Sequence, residues 1–147
     1  MEIRRAKMTD AAALTDVVRA AYAPFREAGL NLPDVEAGID DAIVETPVWL
    51  AVEQDVILGG VIVRQSDTMI QVENLAVHPG ASGRGVGKGL LQTVEDWARE
   101  QGARGLQLAT HADMAGTVAF YRRLGWREVG REGAKLYLAK ILTENEP

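Results

Sequence analysis

The chain contains no cysteine, and its 147 residues include only two histidines, His78 and His111. The absence of cysteine excludes disulfide bonds, a thiol nucleophile and zinc sites built from cysteine. Two histidines are too few for a typical histidine metal site, so we expect no bound metal. No apolar run reaches the ~20 residues of a membrane helix, and Met1–Arg5 lacks the apolar core of a signal peptide. We therefore expect a cytoplasmic protein with no membrane partner.

Positive charge is also in short supply, with 16 Lys and Arg against 21 Asp and Glu and a net charge of −5. This balance argues against general nucleic-acid binding, which depends on a basic surface. The apolar fraction of 47% and the charged fraction of 25% are ordinary for a globular protein. The length suffices for one domain with a substantial core. We expect a single domain over residues 1–142 and a C-terminal tail at residues 143–147.

The hydrophobic pattern predicts strands alternating with helices. Strands are predicted at residues 2–6, 48–52, 56–63, 69–77, 105–109, 126–131 and 134–141. Helices are predicted from a cap at Thr9 or Asp10 to Pro24, around residues 34–45, from Val86 to a C-cap at Gly102, and from a cap at Asp113 to Leu124. Residues 25–34 are predicted to form a loop between the first two helices.

The fourth predicted strand changes the parity of its apolar residues partway along. Ile70 and Val72 are apolar at even positions, whereas Leu75 and Val77 are apolar at odd positions. One extra residue near Glu73–Asn74 restores the alternation, which predicts a β-bulge. A bulge splays a strand from its neighbour and leaves backbone groups free to bind a ligand.

A glycine-rich loop with two cations follows this strand and precedes a helix. Its residues are Gly83, Arg84, Gly85, Val86, Gly87, Lys88 and Gly89. Backbone N–H groups and a helix N-terminus in such a loop can surround one anion, which predicts a phosphate or pyrophosphate site. The spacing does not match a P-loop, because Ser82 and Gly89 stand where a glycine and a hydroxyl residue belong. The third glycine of the dinucleotide fingerprint is also missing.

The loop instead resembles the central motif of the GNAT superfamily of acyl-CoA-dependent N-acetyltransferases, Gln/Arg-x-x-Gly-x-Gly/Ala. Here the motif reads Ser82-Gly83-Arg84-Gly85-Val86-Gly87, with serine in place of the long first side chain. The run Phe120-Tyr121-Arg122-Arg123-Leu124-Gly125-Trp126 is similar to a second motif of that family. Met114 and Thr117 stand where this second motif usually has asparagine and alanine.

The resemblance implies the α/β (α+β) GNAT fold. We therefore expect a mixed, mostly antiparallel central sheet of about seven strands, about four helices and a β-bulge in the fourth strand. The resemblance also implies acetyl-CoA as the cosubstrate, with no metal. The implied cofactor-binding residues are Leu75, Ala76 and Val77 against the pantetheine amides, and Gly83, Arg84, Gly85, Val86, Gly87 and Lys88 around the pyrophosphate.

The reaction implied by the resemblance is transfer of an acetyl group from acetyl-CoA to a primary amine of a small molecule or protein. Tyr121 is expected near the sulfur of coenzyme A, as the acid that protonates the thiolate. Glu73, at the predicted bulge, is the expected general base, and His78 and His111 are the other candidates. The departures from both motifs keep an alternative open, a non-catalytic module that binds or senses acyl-CoA.

We expect the acceptor amine to bind against residues 25–45, in the part of the chain without family motifs. This segment contains one arginine, Arg26, and six carboxylates, at Glu27, Asp34, Glu36, Asp40, Asp41 and Glu45. Carboxylates near a cleft attract cations, which favours an acceptor that is cationic at neutral pH. A solvated helix face would have the same composition, so both interpretations stay open, as does a homodimer.

Overall fold

The computed structural model describes residues 1–143, which form one seven-stranded sheet with helices on both faces. The strands are β1 (Glu2–Arg5), β2 (Val48–Glu53), β3 (Val56–Ser66), β4 (Met69–Val77), β5 (Gly105–His111), β6 (Arg127–Glu132) and β7 (Lys135–Ile141). The α-helices are α1 (Ala11–Glu27), α2 (Ile39–Glu45), α3 (Val86–Glu100) and α4 (Ala115–Arg123). No helix within residues 1–143 is long and apolar enough to cross a membrane.

The strand order of the sheet is β1-β2-β3-β4-β5-β7-β6. All neighbouring pairs are antiparallel except β4 and β5, so the prediction of a mixed, mostly antiparallel sheet is confirmed. The parallel pair is short, since it joins only Met69–Gln71 to Gly105–Gln107. Beyond Gln71 the two strands separate and the sheet opens.

The predicted bulge in β4 is present, and Glu73 is its extra residue. Along β3, Ile62 pairs with Asn74 and Val63 pairs with Val72, so that Glu73 has no partner residue. The bulge lies two residues beyond the last residue of β4 that pairs with β5. It therefore falls where the sheet opens and reverses which residues of β4 face each side.

Each face of the sheet carries its own apolar cluster. On one face, α3 and α4 pack on the sheet, with Leu75 and Val77 of β4 against them. On the other face, α1 and α2 pack on β2, β3 and β4, and Ala76 belongs to that cluster. Of the apolar positions that predicted helix α3, Val86, Leu90, Leu91, Val94 and Ala98 are buried, and Trp97 is partly buried.

Helix α1 continues beyond Pro24, where the sequence predicted its end. Pro24 lies inside the helix, and the Ala28 N–H still donates to the Pro24 carbonyl at 3.1 Å. Proline removes the hydrogen bond to the preceding turn but leaves its own carbonyl free to accept. The helix therefore gains one more turn through Glu27, and the predicted loop begins at residue 28.

Neither predicted carboxylate cap forms. Asp10 precedes α1, but its carboxylate accepts from the Lys7 N–H at 2.7 Å and from the Arg4 guanidinium at 2.9 Å. The hydrogen bond from Arg4 holds the pKa of Asp10 below its usual range. Before α4, Met114 rather than Asp113 occupies the N-cap position.

Several predicted boundaries shift. Helix α2 begins at Ile39 rather than near residue 34, with Gly38 before it in the left-handed region at φ 74°. Strand β3 continues to Ser66 and β5 to His111, beyond the predicted ends at residues 63 and 109, because hydrogen-bonded partners accompany them that far. The domain boundary at residue 142 stays a prediction, and residues 144–147 of the predicted tail lie outside the described residues.

Candidate functional site

A cleft of about 1280 Å³ opens where β4 and β5 separate. Its walls come from β4 and β5, from the glycine loop with α3 and α4 on one face, and from α1 with the following loop on the other face. The cleft is therefore open to both faces of the sheet, so two molecules can approach each other within it from opposite sides.

The glycine loop forms one end of the cleft, and its glycines serve two purposes. Gly83 and Gly85 have φ values of 78°, a left-handed conformation that strains residues with a Cβ atom. At Gly87, a Cβ atom would lie 3.1 Å from Cζ of Phe120 and 3.6 Å from Cγ2 of Val77. The N-terminal N–H groups of α3 have no intrahelical acceptors, which makes this end of the cleft suitable for an anion.

Eight of the nine residues predicted to bind the cofactor line the cleft: Leu75, Ala76, Val77, Gly83, Gly85, Val86, Gly87 and Lys88. The exception is Arg84, whose guanidinium donates to Glu53 Oε1 of β2 at 2.5 Å. The Met1 ammonium lies 3.8 Å from the other oxygen of Glu53. The hydrogen bond from Arg84 holds the pKa of Glu53 below its usual range. The Arg84 side chain thus points to β2, away from the cleft.

This geometry predicts unequal effects for the two cations of the loop. If the cleft binds acetyl-CoA, as the family resemblance implies, Lys88→Gln should weaken that binding by about three- to tenfold, the range for one partly solvated charged contact. Arg84→Gln should weaken it by less than about twofold, because Glu53 already holds that guanidinium outside the cleft. Calorimetric titration of both variants at two salt concentrations measures the difference, and equal losses would contradict it.

Tyr121 lies buried on α4, with its side chain at the cleft. Its ring packs edge-on against Phe120 and Trp126, with centroid distances of 5.3 Å to each. Burial raises the pKa of Tyr121 well above its usual range, and the phenol of Tyr22 raises it further. The hydroxyl therefore keeps its proton throughout the neutral pH range and can act as a hydrogen-bond donor.

Among the described residues, Glu73 is the only carboxylate that lines the cleft. Its Oε1 accepts from Nε of Arg64 at 3.1 Å. The side chain is 38% exposed and that of Arg64 is 51% exposed, so solvent reaches the ion pair. A carboxylate has several acceptor positions, so Glu73 retains capacity to bind an amine or a water molecule.

Both histidines use their Nδ1 atoms to hold backbone N–H groups. In His111, which lines the cleft, Nδ1 accepts from the Asp113 N–H at 3.0 Å. In His78, which does not line it, Nδ1 accepts from the Gly80 N–H at 3.0 Å. The Nδ1 of each imidazole is thus already occupied by a backbone hydrogen bond. This arrangement favours Glu73 over both histidines as a base.

The segment 25–45 lines the cleft, but with apolar and amide side chains rather than carboxylates. Its lining residues are Phe25, Asn31, Leu32, Pro33 and Val35, and none of its six carboxylates is among the described residues of the lining. Glu36 pairs with Arg26 at 3.0 Å. Asp34, Asp40 and Asp41 are exposed. The segment is thus at the cleft, while its negative charge faces elsewhere.

Two further cleft residues, Tyr22 and Asn74, were not singled out from the sequence. Tyr22 had the spacing of a core residue of α1, and no pattern distinguished it. Asn74 is 7% exposed, and its Nδ2 donates to the Val35 carbonyl at 2.9 Å, which joins the loop after α1 to β4. Its buried Oδ1 has no hydrogen-bond partner within residues 1–143. The signal in the sequence that could have identified Asn74 was its amide side chain within an apolar strand, next to the predicted bulge.

Comparison with curated proteins gives two partial matches. Streptothricin acetyltransferase of Streptomyces lavendulae is 31% identical over 104 residues, which cover 69% of this chain and 55% of that protein. An uncharacterized N-acetyltransferase of Methanocaldococcus jannaschii is 31% identical over 58 residues, which cover 40% of this chain and 26% of that protein. The matches thus span about half of the first relative and a quarter of the second.

Solved structures match the fold over nearly the whole chain. PaiA N-acetyltransferase of Thermoplasma acidophilum, in complex with coenzyme A, superposes with a TM-score of 0.87 at 18% identity, covering 96% of this chain and 98% of that chain. The ribosomal-protein-S18-alanine N-acetyltransferase of Escherichia coli gives 0.80 at 19% identity, covering 95% and 92%. The family model for the Acetyltransferase (GNAT) family matches residues 14–126. The chain therefore belongs to the GNAT family of acetyltransferases.

Proposed function

We propose that this protein is an acetyl-CoA-dependent N-acetyltransferase that acetylates a primary amine by direct attack. The observation that carries the proposal is that one cleft is lined by the glycine loop, the bulged strand with Glu73, and the buried Tyr121. Two solved structures that are similar to this chain support acetyl-CoA as the cosubstrate. One is the Thermoplasma acidophilum protein, which binds coenzyme A. The other is a putative streptothricin acetyltransferase of Bacillus anthracis, which binds acetyl coenzyme A.

The chain offers a suitable site for the pantetheine and pyrophosphate of acetyl-CoA. From Val72 to Val77, β4 pairs with β3 on one side but no longer with β5 on the other. Its free N–H and C=O groups can bind the amides of pantetheine as an added strand would. The first turn of α3 and Lys88 can bind the pyrophosphate. The bound cosubstrate supplies an activated acetyl thioester.

Two side chains divide the proton transfers. Glu73 accepts a proton from the amine, directly or through a water molecule, as the new C–N bond forms. Tyr121 donates its hydroxyl proton to the sulfur as the C–S bond breaks, so that coenzyme A leaves as a thiol. The raised pKa of Tyr121 keeps the proton on the phenol until the sulfur takes it, and the resulting phenolate regains a proton from solvent before the next cycle.

Thiol release measured over a panel of amines tests the proposal. Release that depends on the amine supports the enzyme, whereas binding of acetyl-CoA without release supports the acyl-CoA-binding or sensing module. At a hundredfold excess over its Kd, acetyl-CoA should stabilise the protein by about 2.7 kcal/mol. For a domain of this size that is a rise in Tm of roughly 5–10 °C. An unchanged Tm at millimolar acetyl-CoA would contradict both functions.

Glu73→Gln should lower kcat/KM for the amine by roughly 10²-fold at low pH, and by less as the pH rises. At low pH the amine is protonated and needs a base, whereas at high pH the free amine is abundant. The pH–rate profile of the variant measures the effect. Glu45→Gln, an exposed glutamate outside the cleft, is the matched control. A loss at Glu73 that is constant with pH would indicate a structural role instead.

A further inference from the structure

The cleft has an acceptor side that is distinct from its cofactor side. The glycine loop, α3 and α4 lie on one face of the sheet, where Leu75 and Val77 of β4 also point. The acceptor amine must then approach from the opposite face, which carries α1 and the loop after it. The residues on that face determine which amines fit.

The wall on this side consists mainly of apolar and aromatic side chains, with the amides of Asn31 and Asn74 beside them. Tyr22 and Phe25 of α1 line it together with Leu32, Pro33 and Val35 of the following loop. Burial raises the pKa of the Tyr22 phenol, so this side chain also carries no charge at neutral pH. An apolar group on the substrate would bury its surface against these side chains, whereas a second charge there would lose its hydration.

The wall is held in place rather than left as an open loop. Asn74 of β4 donates from Nδ2 to the Val35 carbonyl at 2.9 Å. At the end of α1, Arg26 donates to the Pro33 carbonyl at 3.1 Å and to Glu36 at 3.0 Å. These bonds join the loop to both α1 and β4, so the apolar surface is formed before a substrate binds.

The charges that line the cleft do not suit a polycation. Within the described residues they are one carboxylate, Glu73, and three cations, Lys88, Arg123 and Lys135. The carboxylate is already paired with Arg64, so it can bind one amine but not two. The positive charges suit an anionic cosubstrate, and no second carboxylate lines the described part of the cleft to pair with a second cationic centre on the acceptor.

We propose that the acceptor is a small primary amine attached to an apolar or aromatic group, with no second cationic centre. This inference rests on the proposed function and deepens it. The amine nitrogen lies at Glu73, and the apolar group lies against Phe25, Leu32 and Val35.

Two matched pairs of amines test the inference through kcat/KM. Hexylamine and 1,6-diaminohexane share a six-carbon chain and differ by a terminal amino group with its charge, and 2-phenylethylamine and ethylamine differ by one phenyl group. We expect hexylamine to exceed the diamine, and 2-phenylethylamine to exceed ethylamine, each by about tenfold or more. A diamine used as well as hexylamine, or ethylamine used as well as its phenyl derivative, would overturn the inference.

Substitutions of the apolar residues Phe25 and Leu32 test whether the preference for apolar amines arises at this wall. Phe25→Ala should raise KM for 2-phenylethylamine several-fold and leave KM for ethylamine and acetyl-CoA unchanged. Leu32→Ala should do the same and serves as the second variant if Phe25→Ala lowers Tm. The matched control neutralises the exposed carboxylates of the segment, as Asp34→Asn, Asp40→Asn and Asp41→Asn together, and should leave all three constants unchanged. A selective loss of amine kcat/KM in this control would assign the acceptor site to the acidic segment.

Thiol release distinguishes failure of the inference from failure of the proposed function. If the protein releases thiol with diamines but not with apolar amines, the inference is wrong and the proposed function stands. If no amine causes thiol release, the proposed function is wrong and the inference is lost with it. A readout without turnover is the Tm in the presence of coenzyme A, which hexylamine should raise more than 1,6-diaminohexane does.

Discussion

Tyr121→Phe should lower kcat by roughly 10²–10⁴-fold, the usual contribution of a general acid. The substitution removes one hydroxyl group and leaves the ring, which packs at 5.3 Å from both Phe120 and Trp126. The fold and the Kd for acetyl-CoA should therefore change little. The loss should appear in kcat, because the proton is needed only as the thiolate leaves.

The measurement is single-turnover acetyl transfer, so that product release does not mask the chemical step. Tyr137→Phe is the matched control, since this tyrosine lies on β7 and does not line the cleft. An unchanged rate in the Tyr121 variant would reassign the residue to packing. A large drop in Tm would do the same, because it would show that the hydroxyl stabilises the fold.

Gly87→Val should abolish the rise in Tm that acetyl-CoA causes. A Cβ atom at this position would lie 3.1 Å from Phe120 and 3.6 Å from Val77. The two methyl groups of valine would extend beyond that Cβ atom and crowd these side chains more. The Phe120 ring would have to move, and Tyr121 follows it directly in α4. Overpacking of this kind costs about 1–3 kcal/mol of stability. Gly87 also lines the cleft in the first turn of α3, so the valine methyl groups would occupy space proposed for the pyrophosphate and binding should be lost.

Gly89→Ala, two residues further along α3, is the control for Gly87→Val. A Cβ atom there meets the flexible ends of Ile3 and Met1 rather than the cleft. This variant should keep the response of Tm to acetyl-CoA. If Gly87→Val also keeps it, the glycine loop does not bind the cosubstrate in the way proposed.

Local patterns in the sequence were sufficient to predict the sheet, the bulge and the glycine loop. The parity change between Val72 and Leu75 predicted the bulge, because side chains of a strand alternate strictly between two faces. The glycine spacing predicted a loop that leads into α3, because left-handed backbone at Gly83 and Gly85 requires glycine. Both properties belong to short stretches of chain, and no distant contact is needed to infer them.

At Pro24 the local rule that proline ends a helix gave a wrong prediction. A proline was expected to end α1, yet the helix continues through Glu27. Leu30 and Ala28 donate to the carbonyls of Phe25 and Pro24, which supply the missing continuity at the end of the helix. A proline near a helix end loses one bond, and contacts of the following loop can outweigh that loss.

The sequence by itself determined the family resemblance, the strand with its bulge, and the identity of residues able to donate or accept a proton. Only the tertiary structure decided which of them face the cleft. It turned Arg84 toward Glu53, 31 residues away, placed Val35 on Asn74, 39 residues away, and left the carboxylates of segment 25–45 outside. Such contacts depend on how β2, β4 and the loop after α1 come together, and spacing along the chain carries no information about that approach.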